Sequence, residues 1–189
     1  MSGLGDEKLF YERFWTLHRD PMLISIFAKF GPEPFRRSSV LEGFEAFLAS
    51  ESIAGKQCVE IGTWKGLTAL VLARRFAQVV SIDILPDPDR EYLARAMGVH
   101  NVRFVTMADN AEKAALLSDL DYDLAYLDGD HEHDTESDFA LVRRCGRVLF
   151  HEYWPAQPAV HGLVQQLSAE SAGSVVISGK LALWRGDRG

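Results

Sequence analysis

The sequence predicts an α/β fold on a mostly parallel sheet, with helices on both faces. Three observations carry this. From residue 56 short apolar runs alternate with helical patterns five times in succession. The first run, Cys58, Val59 and Ile61, ends in a glycine turn, Gly62 to Gly66, that opens the helical run Leu67 to Ala77. The chain closes on two β-type runs, Ser174 to Ser178 and Leu181 to Arg185, around Gly179-Lys180. That dipeptide suits a two-residue hairpin, so the last strand is expected to run antiparallel. Strands spaced by helices imply right-handed crossovers.

Before the sheet, residues 6 to 50 read as helices. Phe10, Phe14 and Leu17 share a face, and Asp20-Pro21 ends that helix and caps the next. Leu23, Ile26, Phe27 and Phe30 recur at helical spacing, Gly31-Pro32-Glu33-Pro34 is a break, and Ser39 with Glu42 forms a capping-box pattern ahead of Phe44 and Leu48. This aromatic-rich segment is expected to pack on the sheet edge, with a substrate lid as the rival reading. If it walls a small-molecule pocket, Phe10, Phe14, Trp15, Phe27, Phe30 and Phe35 are the residues to do so.

The second strand is expected at Val79 to Ile84, and Asp87-Pro88 starts the helix that Gly98 ends. Val102 to Met107 is the third strand, followed by a helix from Asn110 to about Leu117. Tyr122 to Leu127 is the fourth. The next helix has Asp134, Glu136 and Asp138 early and Arg143 and Arg144 late, matching the macrodipole. Val148 to Phe150 is the fifth strand, and Val160, Leu163, Val164 and Leu167 form a helical stripe. The reading is one domain over residues 1–189, with a helical extension over 1–52 and a ligand-binding core over 56–185.

Composition narrows the partners. A chain of 189 residues that is 47% hydrophobic and 25% charged has the make-up of a soluble domain. A net charge of −7 with scattered arginine pairs disfavours nucleic acid. No apolar run reaches about 18 residues, so no membrane span is expected, and the polar, acidic start is wrong for a secretory signal. Cys58 and Cys145 make no disulfide framework, and a reducing cytoplasm is the expected home.

The glycine turn points to the ligand. A dinucleotide fingerprint needs three glycines, G-x-G-x-x-G, so that the backbone can approach a pyrophosphate. Here Thr63 and Trp64 stand between Gly62 and Gly66, and Glu60 lies two before the first glycine. The loop therefore suits a nucleoside ligand without a pyrophosphate, with Gly62 keeping the ligand's path clear. Glu-x-Gly-x-x-x-Gly resembles the first motif of class I S-adenosylmethionine-dependent methyltransferases, and five βα units followed by a helix and a hairpin look like their Rossmann-like, seven-stranded fold. The resemblance covers residues 56–185. Asp83, about 20 residues past the glycine turn, stands where an acid accepts hydrogen bonds from ribose hydroxyls, with Ile84 beside it. A capping aspartate is its rival reading. The resemblance places Ala108, Asp109 and Asn110 by the adenine ring; Asp109 also reads as an N-cap. It gives Glu60 the holding of the loop near the methionyl part, and the loop's own backbone donors are the alternative.

Two stretches at the ends of the fourth and fifth strands carry the remaining chemistry: Leu127 to Asp134 (LDGDHEHD) and Leu149 to Trp154 (LFHEYW). Asp128, His151 and Glu152 are candidate ligands for one divalent ion, Mg²⁺, Mn²⁺ or Zn²⁺. Here the chain resembles bacterial small-molecule O-methyltransferases, of the methyltransferase family 24 and catechol O-methyltransferase-like types. In the catechol type the ligands are an Asp after the fourth strand, matched by Asp128, and an Asp-Asn pair after the fifth. His151-Glu152 departs from that pair. A catalytic lysine of that type is replaced by His131, which can take a hydroxyl proton near neutral pH. The rival reading makes Asp130 to Asp134 a solvated helix start. His18, His100, His133 and His161 are given no role.

The expected function is therefore metal-assisted O-methylation of a small-molecule hydroxyl by S-adenosyl-L-methionine, with Asp128 and His131 catalytic, in a monomer or homodimer. Three rivals remain: a metal-independent N- or C-methyltransferase of the same fold, a nicotinamide-dependent oxidoreductase, and a non-catalytic cofactor-binding partner subunit.

Overall fold

The computed structural model describes residues 20–35, 38–107, 109–130, 133–170 and 173–186. Its centre is Gly55–Ile61 (β1), which pairs in parallel with Phe76–Asp83 (β2) on one side and Leu124–Leu127 (β4) on the other. Val102–Thr106 (β3) lies outside β2, and Arg147–Phe150 (β5) lies outside β4, both parallel. Gly173–Ser178 (β6) and Leu181–Gly186 (β7) form the expected hairpin around Gly179, whose φ is +58°. β7 inserts antiparallel beside β5, giving the order β3-β2-β1-β4-β5-β7-β6. The order reverses between β1 and β4, and ligands of open α/β sheets bind at the carboxyl ends of such strands.

Alternation along the strands divides the core. Cys58, Leu124, Tyr126 and Leu149 face one side, and Val59, Ile61, Ala125, Leu127, Val148 and Phe150 face the other. The first side is covered by Pro21–Phe30 (α1), Phe44–Ser50 (α2), Leu67–Leu72 (α3) and Asp89–Ala96 (α4). The second is covered by Asn110–Ser118 (α5), Thr135–Val142 (α6) and Pro158–Ala169 (α7). The N-terminal segment thus lies on a face of the sheet, where an edge was expected. Leu23, Ile26, Phe35, Val40, Phe44 and Leu48 are wholly buried there, and the Phe44 ring sits 5.0 Å from that of Tyr126. At about 25 cal/mol per Å², each such side chain contributes about 1.5–3 kcal/mol.

The helix signals hold with small shifts. Asp20 caps α1 by accepting from the Met22 and Leu23 amides, with Pro21 in the first turn. At the next cap Ser38, rather than Ser39, accepts from the Val40 amide. Ser39 is buried, its hydroxyl 2.7 Å from that of Tyr126. Phe10, Phe14, Trp15 and His18 lie outside the described residues. Of the other expected pocket aromatics, Phe35 is fully buried and packs on Phe27, so these two belong to the core. Phe30 lines a hollow of about 190 Å³ with Pro34, Lys65, Tyr92 and Leu93. Cys58 and Cys145 are buried thiols without a disulfide. No helix among the described residues is long and apolar enough to cross a membrane.

Candidate active site

The turn after β1 is shaped by its neighbours. Gly62 has φ +92°, and a Cβ there would lie 2.1 Å from the Asp128 carbonyl oxygen and 2.5 Å from the Gly129 nitrogen. Glycine is needed because the backbone leaving β4 crosses it. This corrects the expectation that Gly62 only clears a ligand's path. Gly66, at φ +80°, opens α3 and lies under the Phe104 ring. Between them Trp64 adopts φ +46°, a conformation non-glycine residues seldom take.

Asp83 fastens this turn. Its Oδ2 accepts from the Thr63 amide at 2.9 Å, the Trp64 amide at 3.0 Å and Arg90 Nη2 at 3.0 Å. Its Oδ1 accepts from the Leu85 amide at 3.1 Å. Arg90, buried, also donates from Nε to the Trp64 carbonyl at 2.6 Å. The guanidinium therefore grips the loop from both sides. Sequence reading gave Arg90 no role; its place in the first turn of the helix after β2 was the available signal.

Beneath the loop, Thr63 Oγ1 and Ser81 Oγ lie 2.7 Å apart, and the Ser81 hydroxyl donates to Glu60 Oε2. Glu60 is completely buried and its Oε1 has no hydrogen-bond partner among the described residues. Burial pushes its carboxyl well above the ordinary range; the Ser81 hydroxyl opposes this, while Asp128 and Asp83 add to it.

The cluster after β4 and β5 is a chain of contacts. Tyr126, fully buried, donates its hydroxyl to Asp128 Oδ2 at 2.9 Å and lies 2.7 Å from Ser39 Oγ. His151 Nδ1 donates to Asp128 Oδ1 at 2.6 Å. His151 Nε2 faces Glu152 Oε1 at 3.7 Å, and the Lys180 ammonium lies 3.3 Å from the same oxygen and 4.8 Å from the centre of the Trp154 ring. Glu152 has φ +57°, which turns the chain sharply out of β5. The three expected metal ligands thus answer one another: a histidine occupies Asp128 and a lysine occupies Glu152. Among the described residues no group of three His, Cys, Asp or Glu side chains is arranged to hold a metal ion. The donor set does not fit one as built. His131 lies outside the described residues.

A cleft of about 240 Å³ opens above the β1–β4 seam. Gly62, Trp64 and Asp83 line one side, Asp128, Gly129 and Asp130 the other, and Ile84, Leu85 and Met107 the apolar end. Ile84 lies just beyond β2, which ends at Asp83, one residue earlier than expected. Asp109 is exposed and caps α5, its Oδ1 accepting from the Glu112 amide at 2.8 Å; Asn110 is the first residue of that helix, and Ala108 lies outside the described residues. Lys113 and Asp138, to which the sequence reading gave no part in the site, also line the cleft. Each precedes a buried apolar residue by four, Leu117 and Val142, and that helical spacing was the signal for an inward position. A larger hollow of about 410 Å³ between Ser118–Tyr122 and Arg144–Cys145 lies beside the amino end of β4, away from this edge.

Fold and cleft together define a doubly wound α/β protein with a cleft at the carboxyl ends of its central strands, lined by Asp83 and Asp128. More narrowly, a family model described as a methyltransferase domain matches residues 59–153, from β1 past β5, and the chain belongs to that family. Among solved structures it is similar to cofactor-bound Rv0187 from MTB, at 17% identity and TM-score 0.70, over 95% of each chain. It is similar to TomG of Streptomyces achromogenes, an O-methyltransferase of tomaymycin synthesis in complex with SAM, at 15% identity and TM-score 0.69, over 95% of this chain and 96% of that one. The O-methyltransferase of Bacillus cereus in complex with SAH aligns at 13% identity and TM-score 0.68, over 90% of this chain and 93% of that one. At such identities the likeness speaks for the fold. A search of curated proteins gives no match.

Proposed function

We propose that the protein transfers the methyl group of S-adenosyl-L-methionine to a hydroxyl of a small molecule. The observation that carries this reading is the cleft over the β1–β4 seam, walled by a tight glycine turn on one side and Asp128 on the other. The residues fit such a cofactor. Asp83 Oδ1 holds one hydrogen bond and has a further lone pair for a ribose hydroxyl. The unpartnered Glu60 Oε1 offers a polar atom under the loop, and Ile84, Leu85 and Met107 offer apolar surface to a purine. Bound there, the cofactor supplies a methyl group on a positively charged sulfur.

The chain's own work is positioning and proton transfer. A hydroxyl is a poor nucleophile until its proton leaves, and His131, three residues beyond Asp128, is the assigned acceptor. Tyr126 and His151 hold both Asp128 oxygens, so its carboxylate is fixed in orientation beside that loop. A second reading makes His151 the base, favoured by its 2.6 Å contact with Asp128, which fixes the proton on Nδ1 and leaves Nε2 as acceptor. Metal assistance, expected from sequence, would compete with His151 for Asp128 and with Lys180 for Glu152, so no step is routed through an ion.

Calorimetric titration with S-adenosylhomocysteine, with and without Mg²⁺, tests the reading. Binding at micromolar to low millimolar Kd, on the order of useful cofactor affinities, and independent of Mg²⁺ is expected; no binding at millimolar ligand overturns the function.

A further inference from the structure

We propose that Lys113 and Asp138 together read the amidine edge of the cofactor's adenine and so select a 6-aminopurine over a 6-oxopurine. This rests on the proposed methyltransferase function and adds a specificity-determining pair to it. Lys113, on α5, and Asp138, on α6, line the cleft alongside Asp83 and Met107. They are 7% and 4% exposed. The Lys113 ammonium donates to Asp138 Oδ1. Among the described residues neither Asp138 Oδ2 nor the other two Lys113 N–H groups has a hydrogen-bond partner. Burial raises the Asp138 carboxyl above its ordinary range, with Lys113 pulling against it.

An ion pair so placed is a poor way merely to join two helices. Taking both charges out of water costs as much as the attraction returns, and apolar residues of like volume would serve as well or better. The surrounding contacts are of that apolar kind, with Leu117 on α5 and Phe139 and Val142 on α6 in one core cluster. What the pair has and an apolar contact lacks is a donor and an acceptor side by side, facing a cleft. Adenine presents the complement: an amino group that donates, next to a ring nitrogen that accepts. Asp138 Oδ2 takes the amino hydrogen and the Lys113 ammonium reaches the ring nitrogen. Hypoxanthine reverses both, presenting an oxygen to the carboxylate and an N–H to the ammonium, and leaves buried polar groups unmatched. Asp109, the adenine partner expected from the sequence, is exposed and already caps α5.

The test compares S-adenosylhomocysteine with its deaminated form, S-inosylhomocysteine, by calorimetry on the full chain. The unmodified protein is expected to prefer the adenosyl ligand by about 10–150-fold, the worth of one mismatched buried hydrogen-bonding group. In Asp138→Asn the side chain presents both a carbonyl and an amino group, and the preference should shrink to about threefold or less. The double variant Lys113→Met/Asp138→Leu, which leaves no unpaired charge, should keep its thermal transition and also lose the preference. A merely structural pair would weaken both ligands equally, and that result overturns the assignment. So does an Asp109→Ala variant that loses the preference while Asp138→Asn keeps it. If neither ligand binds the unmodified protein, the methyltransferase function itself falls, and the pair's role with it.

Discussion

His151 donates from Nδ1 to Asp128 Oδ1 over 2.6 Å, so two residues that the sequence offers as joint ligands of a metal ion are partners of each other. Lys180 does the same service for Glu152. The first prediction follows. EDTA should leave the methyl-transfer rate unchanged, whereas Asp128→Asn should lower it by about 10²–10⁴-fold, because the base then loses the carboxylate that orients it. His131→Ala and His151→Gln separate the two candidate bases: the true one loses rate at all pH values and loses the limb of the pH–rate profile that reports its titration. Inhibition by EDTA that Mg²⁺ reverses would restore the metal-assisted mechanism.

Gly62→Ala should destabilise the fold by more than about 3 kcal/mol, since both a strained φ and a backbone clash oppose it. The clash is with the Asp128 carbonyl, so the loss should appear in thermal unfolding without any ligand present. A variant that unfolds normally and fails only to bind ligand would return Gly62 to a pure ligand-clearance role.

Arg90→Met should weaken S-adenosylhomocysteine by about 10–100-fold, the worth of hydrogen bonds to charged groups, and raise the cofactor KM while kcat at saturation stays within about twofold. The reason is that Arg90 holds the Trp64 carbonyl and the Asp83 carboxylate in the loop's bent shape and touches neither reacting atom. Asp83→Ala should show the same split and a larger loss, because it removes the acceptor for two loop amides as well. Unchanged binding in Arg90→Met would make the guanidinium a bystander.

Glu60 sets a pH dependence. Its folded pKa lies well above its ordinary value of 4.5, so the folded state keeps a proton that the unfolded chain releases. Stability is then greatest below the unfolded value and falls as pH rises towards the folded one. Glu60→Gln keeps the shape without the ionisation. Its thermal midpoint should change less than that of the unmodified protein as pH rises above the ordinary value of 4.5, the window in which a raised carboxyl contributes. Parallel curves for the two proteins would show that Glu60 is ionised in the fold.

Much of the architecture was readable from periodicity. All seven strands were expected within a few residues, and Asp20, Asp109, Gly98 and Gly179 stand at the caps and turns their chemistry suits. Local signals of this kind act over a few residues and survive without tertiary information. What sequence could not give was pairing across the sheet. That Gly62 meets Asp128, that Arg90 folds back on Trp64, and that His151 turns to Asp128 are contacts between residues 23 to 66 apart in the chain. Residue type advertised Asp128, His151 and Glu152 as charged groups at strand ends; only their mutual distances tell ligands from an internal network. Lys113 and Asp138 stayed hidden because acids and lysines on helices ordinarily face solvent.

The strand order has a consequence for a chain emerging from the ribosome. β1 pairs with β2 soon after both are made, but its other neighbour, β4, comes much later: Leu124, the partner of Cys58, lies 66 residues further along the chain. Contacts of such long separation form late and slow folding. Until residue 128 has appeared, the bend at Gly62 has no opposite wall, and the half-made sheet exposes one apolar edge of β1 to any other nascent chain nearby. The place where the ligand is proposed to sit is therefore also the place where synthesis leaves the protein longest at risk of wrong association.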